Sequence, residues 1–159
     1  MKRIIMLSVI VAFLGISCSL SKEDKLYRTT VDGTWQLTNV DYTGAQGQFS
    51  SVLFKDADAK CFGGSTWYFN HINSTGYYDI PQGLDCVGGQ RDIRWSILDQ
   101  NGIQQLQFKF IDEKKKDITG YGFRLTIDYL DDTSMTLRSS VSVDGEPVNV
   151  IYKFQKINQ

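Results

Sequence analysis

The side chains able to do covalent or acid–base chemistry are few. The chain of 159 residues holds three cysteines, Cys18, Cys61 and Cys86, and one histidine, His71. A closed metal centre of the structural zinc type takes four ligands, more than two body cysteines and one histidine supply. His71 would serve as a general base only beside an acid. It stands near Asn70, Asn73 and Gly76 in a run of hairpin-loop type, where an exposed loop histidine is expected. Gly63-Gly64 and Gly88-Gly89 lack the lysine and following helix of a phosphate-binding loop, so they read as tight turns. Asp56, Asp58, Asp131, Asp132 and Asp144 are scattered. The pair at 131–132 offers fewer oxygens than the six or more that calcium takes, and nothing in the sequence establishes two carboxylates across a cleft as glycoside hydrolysis requires. The expectation is no catalytic residue, no metal site and no cofactor.

Cys18 is set apart by what precedes it. Lys2 and Arg3 open the chain, and residues 4–16 are apolar except for Ser8 and Gly15. A membrane-spanning helix needs about 20 apolar residues, so this run has the length of a signal-peptide core instead. Gly15, Ile16 and Ser17 lead into the cysteine, with small residues at 15 and 17 suited to a signal peptidase. The arrangement resembles the lipobox of bacterial lipoproteins, with Leu14 one place further back than the usual leucine. The alternative is an ordinary signal peptide cut near Ser17. The resemblance implies lipidation of Cys18, and lipoproteins of this type carry several acyl chains. Each buried CH₂ contributes roughly 0.8 kcal/mol, so several chains hold a protein to a membrane firmly. Lys22-Glu23-Asp24, just past the cysteine, resembles the surface-export signal of Bacteroidota lipoproteins; otherwise it is a solvated tether. The expected organisation is a signal peptide over 1–17, a lipidated N-terminus and polar tether over 18–30, and one domain over 31–159. The expected location is the outer membrane, displayed at the cell surface or retained in the periplasmic leaflet.

Export leaves Cys61 and Cys86 as an even pair in an oxidising compartment, where a disulfide is the default. Closing a loop of about 25 residues stabilises by roughly 3 kcal/mol on the chain-entropy model. Charge excludes another class of partner. Of 17 basic and 18 acidic residues, Lys2 and Arg3 leave with the leader, so 15 face 18 in the mature chain. The one basic run, Lys114-Lys115-Lys116, is flanked by Asp112, Glu113 and Asp117 and reads as a solvated hairpin loop. A clustered basic face for nucleic acid is not expected.

The elements that must position these residues are strands. Trp35 and Leu37 alternate with Gln36 and Thr38, the period of a half-buried strand. Further strands read at residues 65–70, 77–80, 91–98, 104–110, 119–129, 134–143 and 148–157. Residues 49–61 suggest a short helix. The turns between strands are short: Asn73 to Gly76, Asn101-Gly102, Asp131-Asp132 and Asp144-Gly145. Eight strands joined this way make a meander, and a meander removes its edges by closing. The fold expected is therefore all-β, an eight-stranded antiparallel up-and-down barrel with a short helix or long loop between its first two strands. Such an interior is filled by side chains or holds one small ligand.

Gly33-Thr34-Trp35 at the start of the first strand resembles the G-x-W opening of lipocalins, whose tryptophan packs across the closed end. The block from Cys61 through Ser65-Thr66-Trp67 looks like that of lipocalin-like lipoproteins of Bacteroidota. So do Cys86 before Arg91-Asp-Ile93-Arg-Trp95, Met135-Thr-Leu137 and Tyr152-Lys-Phe154. The resemblance covers residues 31–157 and implies a small barrel on a lipid tether, without naming a ligand. Two uses of the aromatic set stay open. Trp67, Trp95, Phe108, Tyr121, Phe123 and Tyr152 either line a pocket for a small hydrophobic molecule or fill a solid core. In the second case the protein acts through its loops on an envelope protein partner, with residues 43–64 as the docking segment.

Overall fold

A computed structural model describes residues 21–44, 51–143 and 145–157. The apolar leader, Cys18 and Asp144 lie outside the described residues. Eight long strands form a closed barrel: β1 (Gly33–Thr43), β4 (Thr66–Asn70), β5 (Thr75–Ile80), β6 (Gly89–Gln100), β7 (Ile103–Phe110), β8 (Phe123–Leu130), β9 (Ser134–Val143) and β10 (Glu146–Lys156). Each pairs antiparallel with its neighbour in sequence, and β1 closes the ring by pairing with both β10 and β4. Closure leaves none of these strands as an edge. The alternation seen in sequence is real: Ile93, Trp95 and Ile97 on β6, and Leu106, Phe108 and Phe110 on β7, point into the core.

Turn chemistry fixes the register. Asn101 and Gly102 both adopt positive φ, and the Asp99 carboxylate accepts the Gly102 N–H at 2.9 Å. The β4–β5 turn differs from expectation. It is made by residues 71–74, with Ser74 at φ 59°, and Gly76 belongs to β5. A Cβ at Gly76 would stand 2.0 Å from the Tyr68 carbonyl oxygen, so glycine here permits close strand approach. A second difference shortens β8. The alternating run from Thr119 becomes strand only at Phe123, because the Asp117 carboxylate accepts the N–H groups of Thr119 and Gly120 and holds a turn.

The segment read as an unpatterned polar tether carries helix α1 (Lys22–Val31). Ser21 caps it by accepting the Asp24 N–H, Glu23 and Asp24 sit in its positive first turn, and Arg28 sits in its last. α1 covers one end of the barrel. Val31 is fully buried and its carbonyl accepts the Trp35 indole N–H, while Lys156 donates to the Thr30 carbonyl and lies over the Trp35 ring. Arg28 lies over Trp95 and donates to the His71 carbonyl and Ser74 Oγ.

The helix expected over residues 49–61 is mostly something else. The described part is a tight hairpin, β2 (Val52–Leu53) with β3 (Ala57–Asp58), followed by a single helical turn, α2 (Ala59–Phe62). The Cys61–Cys86 disulfide is present, with an S–S distance of 2.04 Å, and fastens α2 to the loop before β6.

Candidate functional site

Inside the barrel the aromatic rings form two layers. At the α1 end Phe69 meets Trp95 edge-on at 5.2 Å, and the Trp95 indole donates to the Thr75 carbonyl. Towards the other end Trp67, Tyr78, Phe108, Phe123 and Tyr152 surround a single point. That point is occupied by Phe54, carried inward by the β2–β3 hairpin. Its ring stacks on Tyr152 at 5.5 Å and meets Phe62, Trp67, Phe108 and Phe123 edge-on at 5.1–5.8 Å. Rings prefer these offset and edge-on arrangements because of their quadrupoles.

Four of the six sequence-chosen lining residues, Trp67, Phe108, Phe123 and Tyr152, are thus brought together. Trp95 belongs to the other layer. Tyr121 does not face the interior: the turn held by Asp117 leaves it in the loop before β8, 38% exposed, against the edge of Phe123. Sequence reasoning missed Phe54, Phe62 and Tyr78. Tyr78 shares a strand face with Ile80, which was the available signal.

The hairpin sits under backbone constraint. Phe54 and Lys55 have φ of 52° and 54°, and the Asp56 N–H closes the turn on the Leu53 carbonyl at 3.0 Å. Asn and Gly are usual at such positions; other residues held there cost of order 1–3 kcal/mol each. Side chains hold the hairpin down. Asp56 Oδ2 accepts from Arg91 Nε at 2.9 Å and from the Tyr78 hydroxyl at 2.8 Å, and Arg91 Nη2 reaches Oδ1 at 3.3 Å. Lys55 Nζ lies 4.2 Å from the centre of the Tyr121 ring, and Ser51 Oγ bonds Tyr42 Oη at 2.6 Å.

Burial pushes the Tyr78 hydroxyl far above its ordinary range, and its hydrogen bond to the Asp56 carboxylate and that group's charge add to the effect. It stays a donor. Burial likewise pushes Tyr152 up to about 12, with its hydroxyl 3.0 Å from Ser139 Oγ. The site is therefore an apolar ring of side chains with hydroxyl tips, closed on the Phe54 ring. Beside the hairpin a groove of about 490 Å³ runs between Lys55, Arg91, Phe110, Ile118 and Tyr121.

His71 is half-exposed and paired. Its Nδ1 lies 2.8 Å from Asp32 Oδ1, which also accepts the His71 backbone N–H. Burial raises the Asp32 carboxyl, but that N–H, the imidazole and Lys156 outweigh it and leave Asp32 below its ordinary value. The pair ties the α1–β1 junction to the β4–β5 turn. Asp131 caps a turn, accepting from Tyr129, Thr133 and Ser134. Among the described residues no three histidine, cysteine or acidic side chains converge as a metal site. No described helix is long and apolar enough to cross a membrane.

A closed eight-stranded meander with an indole packed across one end and rings lining the other defines a lipocalin-like architecture. The profile of the lipocalin-like domain matches residues 31–137, and the chain belongs to that family. Among solved structures it is similar to bovine odorant binding protein in complex with a selenium-containing odorant. Identity is 12%, coverage 83% of this chain and 73% of that one, and the TM-score 0.43. No curated protein matches the sequence.

Proposed function

We propose that this protein is an envelope-anchored lipoprotein of the Bacteroidota type whose barrel binds a small hydrophobic molecule. One observation carries the binding reading. The ring layer of Trp67, Phe108, Phe123 and Tyr152 closes on a side chain delivered by a two-residue-strand hairpin, not by the barrel wall. Because the hairpin lies outside the closed barrel, its withdrawal would open the ring layer without breaking a strand of the barrel wall. The neutral fluorophore N-phenyl-1-naphthylamine tests it: saturable, blue-shifted emission on titration supports binding, and a linear, unsaturated response ends the proposal. The anchor rests on Cys18 and the apolar run before it. Cells fed a labelled fatty acid should label the unaltered protein and not Cys18→Ala; label retained in the variant would refute lipidation at that position.

A second reading is favoured by Phe54 itself, since its ring fills the space a ligand would take. In that reading the barrel is solid and the protein acts on an envelope partner through its loops. Partner capture that survives removal of residues 51–58 would count against the docking segment proposed for it.

A further inference from the structure

We propose that the Phe54 ring and the Asp56 carboxylate are the chain's own stand-in for its ligand, and that the barrel accepts a small aromatic carboxylic acid. The ring takes the place of Phe54 and the carboxylate takes the place of Asp56 on Arg91 and Tyr78. The inference rests on the barrel-binding reading above and names its ligand class.

Two built half-sites meet at the hairpin tip. One is the ring space, stacked on one face by Tyr152 and walled edge-on elsewhere. The other is an anion site. Arg91 approaches one carboxylate through Nε and Nη2, and the Tyr78 hydroxyl donates to the same group. A guanidinium fork with a phenolic donor is the geometry that planar, two-oxygen anions fit. The Arg91 and Asp56 side chains are each only 20% exposed, so departure of Asp56 would leave a sheltered cation that calls for a replacement anion.

Both stand-ins leave together, because a single residue, Lys55, separates them on one turn. Among the described residues, that turn is the segment where consecutive non-glycine residues hold positive φ. Such strain persists only while surrounding contacts over-determine it, and it collects at ligand clamps and switches. The groove beside the tip, with the exposed Ile118 and half-exposed Tyr121 on its wall, gives an incoming ring a surface to rest on beside the hairpin. Phe54 and Asp56 then compete with ligand, and apparent affinity falls by the fraction of molecules whose hairpin is closed.

Calorimetry with 4-phenylbutanoate and its neutral analogue 4-phenylbutanol tests this on the full-length protein, Asp56→Ala and Phe54→Ala/Asp56→Ala. The double variant should bind the acid at least about tenfold more tightly than the unaltered protein. It should also prefer acid over alcohol by about tenfold, and adding Arg91→Met should erase that preference. Equal acid affinity in the unaltered protein and the double variant overturns the inference, as does a preference that survives Arg91→Met. N-phenyl-1-naphthylamine separates the failures. If it binds saturably and the acid does not, the ligand class is wrong and the barrel reading stands; if neither binds, both fall. Should near-ultraviolet circular dichroism show the double variant unfolded, Asp56→Ala decides alone, since it deletes no core ring. Acid binding tightened by about threefold or more supports the inference, and unchanged binding overturns it.

Discussion

At the residue scale the interior is governed by hydroxyls and rings that have no access to bulk water. Tyr78 and Tyr152 are buried with their pKa values raised. A tyrosine whose folded pKa exceeds its unfolded value, about 10, contributes that stability in full below pH 10 and loses it as pH climbs through the folded value. Stability should therefore fall above pH 10, and in a titration followed at the phenolate absorbance these two of the eight tyrosines should ionise last, with unfolding. Eight tyrosines ionising together near pH 10 in a still-folded protein would refute their burial. Period-2 reading found Trp67, Phe108 and Tyr152 because a strand turns alternate side chains to one face. It did not find Phe54, whose place depends on a turn that Phe and Lys intrinsically resist. Nor did it find Asp56 with Arg91, which lie 35 residues apart and meet only when the barrel closes.

At the element scale the hairpin and its neighbours depend on fastening. Cys61→Ser should lower unfolding free energy by roughly 3 kcal/mol, read from chemical denaturation under non-reducing conditions. An unchanged midpoint, or two titratable thiols in the native body, would contradict the pairing. Gly76→Ala should destabilise by about 2 kcal/mol or more, since its Cβ meets backbone and not a yielding side chain; a neutral result would mean that β4 and β5 are further apart than described. The strands and the Asn101-Gly102 turn were legible because local chemistry and register agree there. The start of β8 was not, because the Asp117 side chain competes for the backbone N–H groups that a longer strand would need. Helix α1 was missed for a related reason. Its inward contacts are made by Arg28 while Leu26 faces solvent, and only Val31 at its end is fully buried, so no apolar stripe marks it.

At the scale of the molecule, α1 closes one end of the barrel and the β2–β3 hairpin fills the other. The proposed lipid on Cys18 precedes α1, which would put the indole-sealed end near the anchor and leave the hairpin end free to meet small molecules. Removing the hairpin's hold should loosen that end alone. In hydrogen exchange, Asp56→Ala should speed amides of residues 51–58 while β6, β7, β9 and β10 keep their protection; uniform acceleration around the barrel would contradict a separable hairpin. The measurement bearing most directly on the central claim is native mass spectrometry of the mature protein drawn gently from its own envelope. A small apolar mass, held in the gas phase and released on denaturation, is the predicted result. The mass of the oxidised, acylated chain and nothing else would contradict a ligand-carrying barrel and favour the solid one.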